Sequence, residues 1–437
     1  MMFLKRTPFL QAIKSSTSTI HSKHFPAFHQ LYSTTTTTRT TDSTDNATPL
    51  EDPSDHPEPT TPTASPLDDA IQVIDPNLFP EGVPSHLTQE LRHLANPEVS
   101  SWVIRNLTKE IQHRLDTHVD PDNDTQVLND GVVVLAGPRE HGKSVVLCQV
   151  VQWARSNDWI VLYSPDSGNL LRKGDMIFPS RHNQGSFDQP DLAGPLLQHL
   201  RTAHGKQLNR LKIKGEVRPF YTVERERKLK VRAKKKGKTY KSGSGAVDCT
   251  LLDICDHGLL NGADAATCYR DLRQQLSLVE KEDGAKILFV IDDVNTLYSD
   301  TVFGFEMKKV TADELTLSGA LQPFNAKDGL RPDFVPKHGA LLCATTGGSD
   351  FLPSAKRVQQ EAPALYDYLV PVHPYDEDEF DAAIRMYSHN GLVSKNVLRK
   401  DRGENINSDI ATAKVVSSSH PGVLYEHIVE NSIGGVQ

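Results

Sequence analysis

The stretch from Gly131 to Val151 constrains this chain more than any other: Gly-Val-Val-Val-Leu-Ala-Gly-Pro-Arg-Glu-His-Gly-Lys-Ser-Val-Val-Leu-Cys-Gln-Val-Val. Val132 to Ala136 is a short apolar run of the kind that makes a buried parallel strand. Gly137 to Ser144 match G-x-x-x-x-G-K-S at every fixed position, and an apolar-periodic helix follows at once. A strand, a glycine-bounded loop and a helix in that order form the context in which this pattern holds phosphate. Gly137 and Gly142 let the backbone curl so that successive N–H groups converge on phosphate oxygens. The helix N-terminus adds partial positive charge. Lys143 is placed to reach the β- and γ-phosphates, and the Ser144 hydroxyl suits Mg²⁺. The candidate nucleotide-binding residues are Gly137, Pro138, Arg139, Glu140, His141, Gly142, Lys143, Ser144 and Val145. The competing reading is a chance match, and the flanking strand and helix weigh against it.

Downstream, the pattern alternates strand and helix. Trp159 to Tyr163 reads as a second buried strand, giving a parallel βαβ crossover with the first. Asp191 to Ile213 is helical in pattern. Lys286-Ile-Leu-Phe-Val-Ile-Asp292-Asp293 is an apolar strand that closes in two carboxylates. Asp292 is the candidate Mg²⁺ residue together with Ser144, and Asp293 is the candidate catalytic carboxylate, placed to orient water. Gly339 to Thr346 reads as a further strand. Thr345 or Thr346 at its end could sense a terminal phosphate, or the Thr-Gly-Gly could simply end the strand. Leu369 to Val372 is a candidate fifth strand. Before the first strand, Leu87 to Leu94 and Pro97 to His118 read as helices, with Trp102, Val103, Leu107, Ile111 and Leu115 on one stripe. After the fifth, Asp376 to Ser388 reads as a capped helix, and Asp409 to Ile433 as helix broken at His420-Pro421-Gly422.

Charge is unevenly placed. Between Lys206 and Lys241 there are 15 Lys/Arg against three Glu, in a chain whose net charge is -8. That concentration suits a polyphosphate, most simply RNA, read through backbone and shape because no base-reading motif is present. The candidate RNA contacts are Lys228, Lys230, Arg232, Lys234, Lys235, Lys236 and Lys238; a solvated or protein-facing surface is the alternative. Before Asp42 there is no acidic residue, while Lys5, Arg6, Lys14, Lys23 and Arg39 are basic and Ser/Thr are abundant, which fits an organelle transit peptide. A Thr/Ser/Pro/Asp tract follows and reads as a linker. The five cysteines contain no C-x-x-C pair, so neither a disulfide framework nor a zinc ribbon is supported. No apolar run approaches the roughly 18 residues of a membrane span, and none is expected.

These residues together resemble the death-associated protein 3 family of the mitochondrial ribosomal small subunit. The likeness rests on Phe79-Pro-Glu-Gly-Val-Pro, Asp158-Trp159, Pro165-Asp166, Phe187-Asp-Gln-Pro190, Asp292-Asp-Val-Asn295 and Tyr375-Asp-Glu-Asp-Glu-Phe380, in the family's order across Phe79 to Ile433. The resemblance implies an α/β, AAA-like phosphate-loop NTPase domain with a parallel sheet and N- and C-terminal helical additions. It implies bound GTP or GDP with Mg²⁺, contacts to small-subunit rRNA and neighbouring ribosomal proteins, slow or no hydrolysis, and a mitochondrial leader; no homo-oligomer is expected. GTP over ATP rests on the resemblance alone, because Asn325-Ala-Lys-Asp328 has its lysine out of register for guanine recognition. One departure stands out: the family commonly has Gly where this chain has Asp293. The expected organisation is a transit peptide (1–40), a linker (41–70), an N-terminal helical segment (71–130), a nucleotide domain (131–372) carrying the basic insertion (206–245), and a C-terminal helical subdomain (373–437). A free-standing mitochondrial ATPase or GTPase, or an RNA-binding adaptor with a vestigial loop, are the competing readings.

Overall fold

The computed structural model describes residues 70–92, 101–119, 131–235, 248–347, 353–390, 392–393 and 405–431. The expected leader, nearly all of the linker, and the candidate RNA contacts Lys236 and Lys238 lie outside these residues. No helix among the described residues is long and apolar enough to cross a membrane.

Five strands form one parallel sheet in the order Leu369–Pro371, Val132–Ala136, Gly339–Ala344, Ile287–Ile291, Ile160–Ser164. Each of the three central strands is apolar along almost its whole length because both faces are covered. Alternate residues serve opposite layers. Val132, Val134, Phe289, Ile291, Leu341 and Cys343 face a layer that includes helices Pro190–Leu208, Leu251–Leu260 and Ala265–Ser277. Val133, Leu135, Leu288, Val290, Leu342 and Ala344 face helices Asn106–Val119 and Lys143–Ser156. The strand that carries the Gly137–Ser144 loop and the strand that ends at Asp292 flank Gly339–Ala344, so three loop ends meet at one edge of the sheet.

Ile160–Ser164 is one of the two edge strands, and a buried histidine covers part of its open side. Val161 N–H donates to His204 Nε2 at 3.1 Å, and His204 Nδ1 lies 2.9 Å from Gln207 Oε1. The accepting Nε2 must be unprotonated, and burial lowers the imidazole pKa from 6.5 to about 4. Between these values the unfolded chain binds more protons, so this histidine's contribution to stability falls as pH drops from about 6.5 to 4, by about 3 kcal/mol. Denaturant melts across that window should show the slope, and His204→Gln should flatten it.

The expected Pro97–His118 helix needs correction. Ser101–Val103 is a strand, antiparallel to Ile71–Val73 with Trp102 opposite Gln72, and the helix begins only at Asn106. Trp102 and Val103 therefore leave the helical stripe, whereas Ile111 and Leu115 are buried on it. The β-branched and aromatic residues of Trp102-Val103-Ile104 favour extended backbone. Ile104 N–H also extends the pairing by donating to Ala70 O at 2.9 Å. Val103 packs among helices Glu377–His389, Asn405–Ser417 and Pro421–Asn431, with Phe380, Tyr387, Leu424 and Ile428. The N-terminal strand pair and the C-terminal helices thus share one apolar cluster.

The segment that joins the two strands of this pair is fastened to the loop helix. Arg155 forms ion pairs with both oxygens of Glu81 at 2.7 and 3.0 Å and donates to Leu78 O, and both side chains are 3% exposed. Gln152 adds Nε2–H to Val73 O at 2.7 Å. This explains Phe79-Pro-Glu-Gly-Val-Pro as a docking segment. Phe187-Asp-Gln-Pro190 is equally structural: Asp188 accepts from Thr316 Oγ1 at 2.6 Å, Gln189 donates to Leu170 O at 2.8 Å, and Pro190 opens a helix.

Candidate functional site

The Gly137–Ser144 loop leaves its strand through Gly137, at φ +152°, and enters helix Lys143–Ser156 through Gly142, at φ +82°. A Cβ at Gly142 would sit 3.0 Å from the Arg105 guanidinium, so a side chain here would crowd that arginine as well as meet an unfavourable φ. Glu140 holds φ +68° without being glycine. Lys143 turns back over the loop, donating to Gly137 O at 2.9 Å and Pro138 O at 2.6 Å. Burial lowers its pKa, and the charges of Asp292 and Asp293 oppose that fall.

The two acids stand at the end of Ile287–Ile291. Asp292 is buried; its Oδ1 accepts from Asp293 N–H at 2.9 Å, while Oδ2 receives no hydrogen bond among the described residues. Desolvation, and next the neighbouring Asp293, push its pKa well above the ordinary carboxyl value; Ser144 lies near enough to oppose part of the rise. A buried, unpartnered carboxylate oxygen beside a serine hydroxyl at a helix N-terminus fits a hard divalent cation, whose charge would reverse that rise. Asp293 sits in the left-handed region at φ +56°, and burial together with Asp166 raises it to about 6. Asn295 locks the adjacent strand end, donating from Nδ2 to Thr346 O at 3.0 Å and accepting from Thr346 N–H at 2.8 Å. Of the two candidate phosphate sensors, Thr345 spends its hydroxyl on Leu135 O at 3.2 Å, whereas Thr346 interacts with Asp293.

These elements border one cavity of about 670 Å³, within the range of small-molecule sites. Arg139, Glu140, Gly142, Lys143, Ser144, Val145, Asp293, Thr345 and Thr346 line it. Gly137, Pro138, His141 and Asp292 are not among its lining residues. Apolar and aromatic residues also line it: Trp102 from the strand pair, Tyr375 just ahead of helix Glu377–His389, and Met386, Tyr387 and Tyr425 from the C-terminal helices. Sequence reasoning had not placed these residues in the site. Tyr375 lies in a quoted motif, but nothing in the local pattern of Trp102 or Tyr425 signals a cavity wall. Asn325-Ala-Lys-Asp328 is a hairpin turn in which Asn325 Oδ1 accepts from Lys327 N–H and Asp328 N–H at 2.9 and 2.6 Å.

The family model for the mitochondrial ribosomal death-associated protein 3 matches residues 102–419. The chain belongs to that family. Among curated relatives, the small ribosomal subunit protein mS29 of Bos taurus is 24% identical over 361 residues, covering 79% of each chain. The Mus musculus protein of the same name is 23% identical over 275 residues, covering 62% of this chain and 64% of its own. The family match thus spans the loop, the acid-bearing strand and the C-terminal helices as far as Ser419.

Within the described residues, the basic insertion contains helix Pro219–Lys235. As far as Lys228 the helix spends much of its charge on ion pairs within the protein: Lys228 pairs with Asp253 at 2.7 Å and with Asp256, Arg225 with Asp253 at 3.7 Å, and Arg227 with Glu224 at 2.7 Å. Lys230 reaches Glu226 at 3.5 Å on the exposed side. Arg232, Lys234 and Lys235 are exposed and have no ion pair among the described residues. Cys255 and Cys268, near the base of this helix, are buried, and burial raises both thiols, Cys268 to about 12. His257 between them pairs with Asp264 at 3.1 Å and stacks on Phe220.

Proposed function

We propose that this chain is a structural component of the mitochondrial ribosomal small subunit that holds a guanine nucleotide with Mg²⁺ in a phosphate-loop NTPase domain and contacts rRNA. The carrying observation is that, in a member of this family, the Gly137–Ser144 loop and Asp293 border one cavity of about 670 Å³, with Asp292 buried next to Asp293. The family, described as mitochondrial ribosomal, and the relatives named as small-subunit proteins support the ribosomal and mitochondrial parts of the reading, and the acid-free leader fits an organelle transit peptide. The loop residues Gly137 to Val145 would receive the phosphates; Ser144 and Asp292 would hold Mg²⁺, which neutralises phosphate charge when bound. Arg232, Lys234 and Lys235 carry the rRNA proposal within the described residues, and Lys228 contributes chiefly by fixing their helix.

Asp293 favours a second reading, slow turnover by a free-standing ATPase or GTPase, because a carboxylate beside the cavity could orient water. Two measurements separate the readings. In a density gradient of mitochondrial lysate, the chain should travel with small subunits through moderate salt, and nucleotide extracted from purified protein should run as GDP or GTP. A soluble assembly free of rRNA, releasing phosphate with multiple turnovers, would sink the structural reading. Replacing Arg232, Lys234 and Lys235 together by Gln should weaken subunit association and lower its salt slope by up to about three; an unchanged slope would remove this helix from the RNA proposal.

A further inference from the structure

The loop's outer turn is held by groups that lie outside it in sequence. Arg105, its side chain 4% exposed, donates from one terminal nitrogen to His141 O at 2.9 Å and from the other to His373 O at 2.6 Å. Its Nε donates to Glu379 Oε2 at 3.0 Å. Glu379 is the third residue of the capping box that starts helix Glu377–His389, and its other oxygen accepts from Asn106 N–H at 2.7 Å. The neighbouring carbonyl, Glu140 O, accepts from Gly422 N–H at 3.0 Å, in the first turn of helix Pro421–Asn431. The His141 and His420 rings lie 4.4 Å apart.

A trans peptide unit is planar, with its C=O and N–H pointing in opposite directions. Fixing Glu140 O on Gly422 and His141 O on Arg105 therefore turns the N–H groups of His141 and Gly142 the other way. Two successive N–H groups so aligned at a helix N-terminus make an anion-binding concavity. Glu140 could not hold its left-handed φ as cheaply without such anchors, since a non-glycine residue there is strained.

We infer that Arg105 and the Gly422 end of the last helix are positioning groups that pre-orient the loop N–H groups for phosphate, and that phosphate binding in turn tightens the C-terminal helices. This rests on the nucleotide reading above. It adds residues from both ends of the described chain to a site otherwise built from the loop and the acid strand. By reciprocity, whatever Arg105 and Gly422 contribute to phosphate affinity, bound phosphate returns to the docking of helices Glu377–His389 and Pro421–Asn431.

The test uses the full chain with Mg·GDP and, as the probe lacking phosphate, guanosine. Arg105→Ala should bind Mg·GDP about tenfold or more weakly, since charge-assisted hydrogen bonds that orient the loop are lost, and guanosine as well as the parent does. Gly422→Ala is an independent variant should Arg105→Ala fail to fold: its Cβ would fall 2.6 Å from Glu140 Cβ, pushing the two apart without touching Arg105. It should show the same phosphate-specific loss. Hydrogen exchange in Pro421–Asn431 should slow on adding Mg·GDP to the parent protein and change less in either variant. Unchanged Mg·GDP affinity in a folded variant, an equal loss for guanosine, or exchange in that helix indifferent to Mg·GDP would overturn the inference and leave nucleotide binding standing. Failure of the parent to bind Mg·GDP at all would remove the nucleotide reading, and this inference with it.

Discussion

Lys143→Ala should reduce affinity for Mg·GDP or Mg·GTP by roughly a hundredfold or more while leaving the nucleotide-free protein close to its original melting temperature. The ammonium is buried and already partly desolvated, with its positive charge favoured by Asp292 and Asp293. Its two hydrogen bonds, to Gly137 O and Pro138 O, are interactions with its own loop. Exchanging them for phosphate oxygens converts neutral acceptors into charged ones, worth about 1.5–3 kcal/mol for each hydrogen bond so strengthened. In the nucleotide-free protein, alanine removes a desolvated charge and two carbonyl contacts at a cavity wall where water can substitute, and these effects nearly cancel. Isothermal titration with Mg·GDP and thermal denaturation of both proteins measure the two halves. Equal affinity in the variant would remove the loop from the binding site.

Arg155→Ala should have the larger effect on stability, about 3–5 kcal/mol, because it leaves the buried Glu81 carboxylate without its partner. Four acceptors lose donors at once: both Glu81 oxygens, Leu78 O and Val161 O. The site should suffer indirectly, since the same segment leads into Ser85–Arg92, whose first residues border the cavity. The double variant with Glu81→Gln should recover part of the loss, because the remaining group is neutral. Urea melts of the two singles and the double supply the coupling energy. A single-variant loss below about 1 kcal/mol would mean that the pair is effectively solvated.

The sheet was legible because each strand is an uninterrupted apolar run: Val132–Ala136, Ile287–Ile291 and Gly339–Ala344 need no tertiary information to be recognised. The loop and the acids were legible as candidates because each is a short local pattern that directly follows an apolar strand. What remained hidden depends on partners far along the chain. Trp102 and Val103 fit an apolar helical stripe until Ile71–Val73 is there to pair with them. Arg105 falls inside the expected Pro97–His118 helix and nothing local marks it, since its acceptors His141, His373 and Glu379 are distant in sequence. Lys228 counted as free charge because Asp253 and Asp256 come from another helix. Composition measures how much charge a segment has, and folding decides how much of it faces outward.

The contact between Gly422 and Glu140 also sets an order in time. A chain that emerges from its N-terminus, whether from a ribosome or through an import pore, presents the loop long before the last helix exists to meet it. Sheet and loop helix can assemble from what has already arrived, as N-terminal parts of large proteins commonly do. The part of the cavity lining that the last helix supplies, Tyr425 and its neighbours, arrives near the end. A ligand held in this cavity is therefore enclosed at the close of folding, and its capture reports that the chain has arrived through Pro421–Asn431.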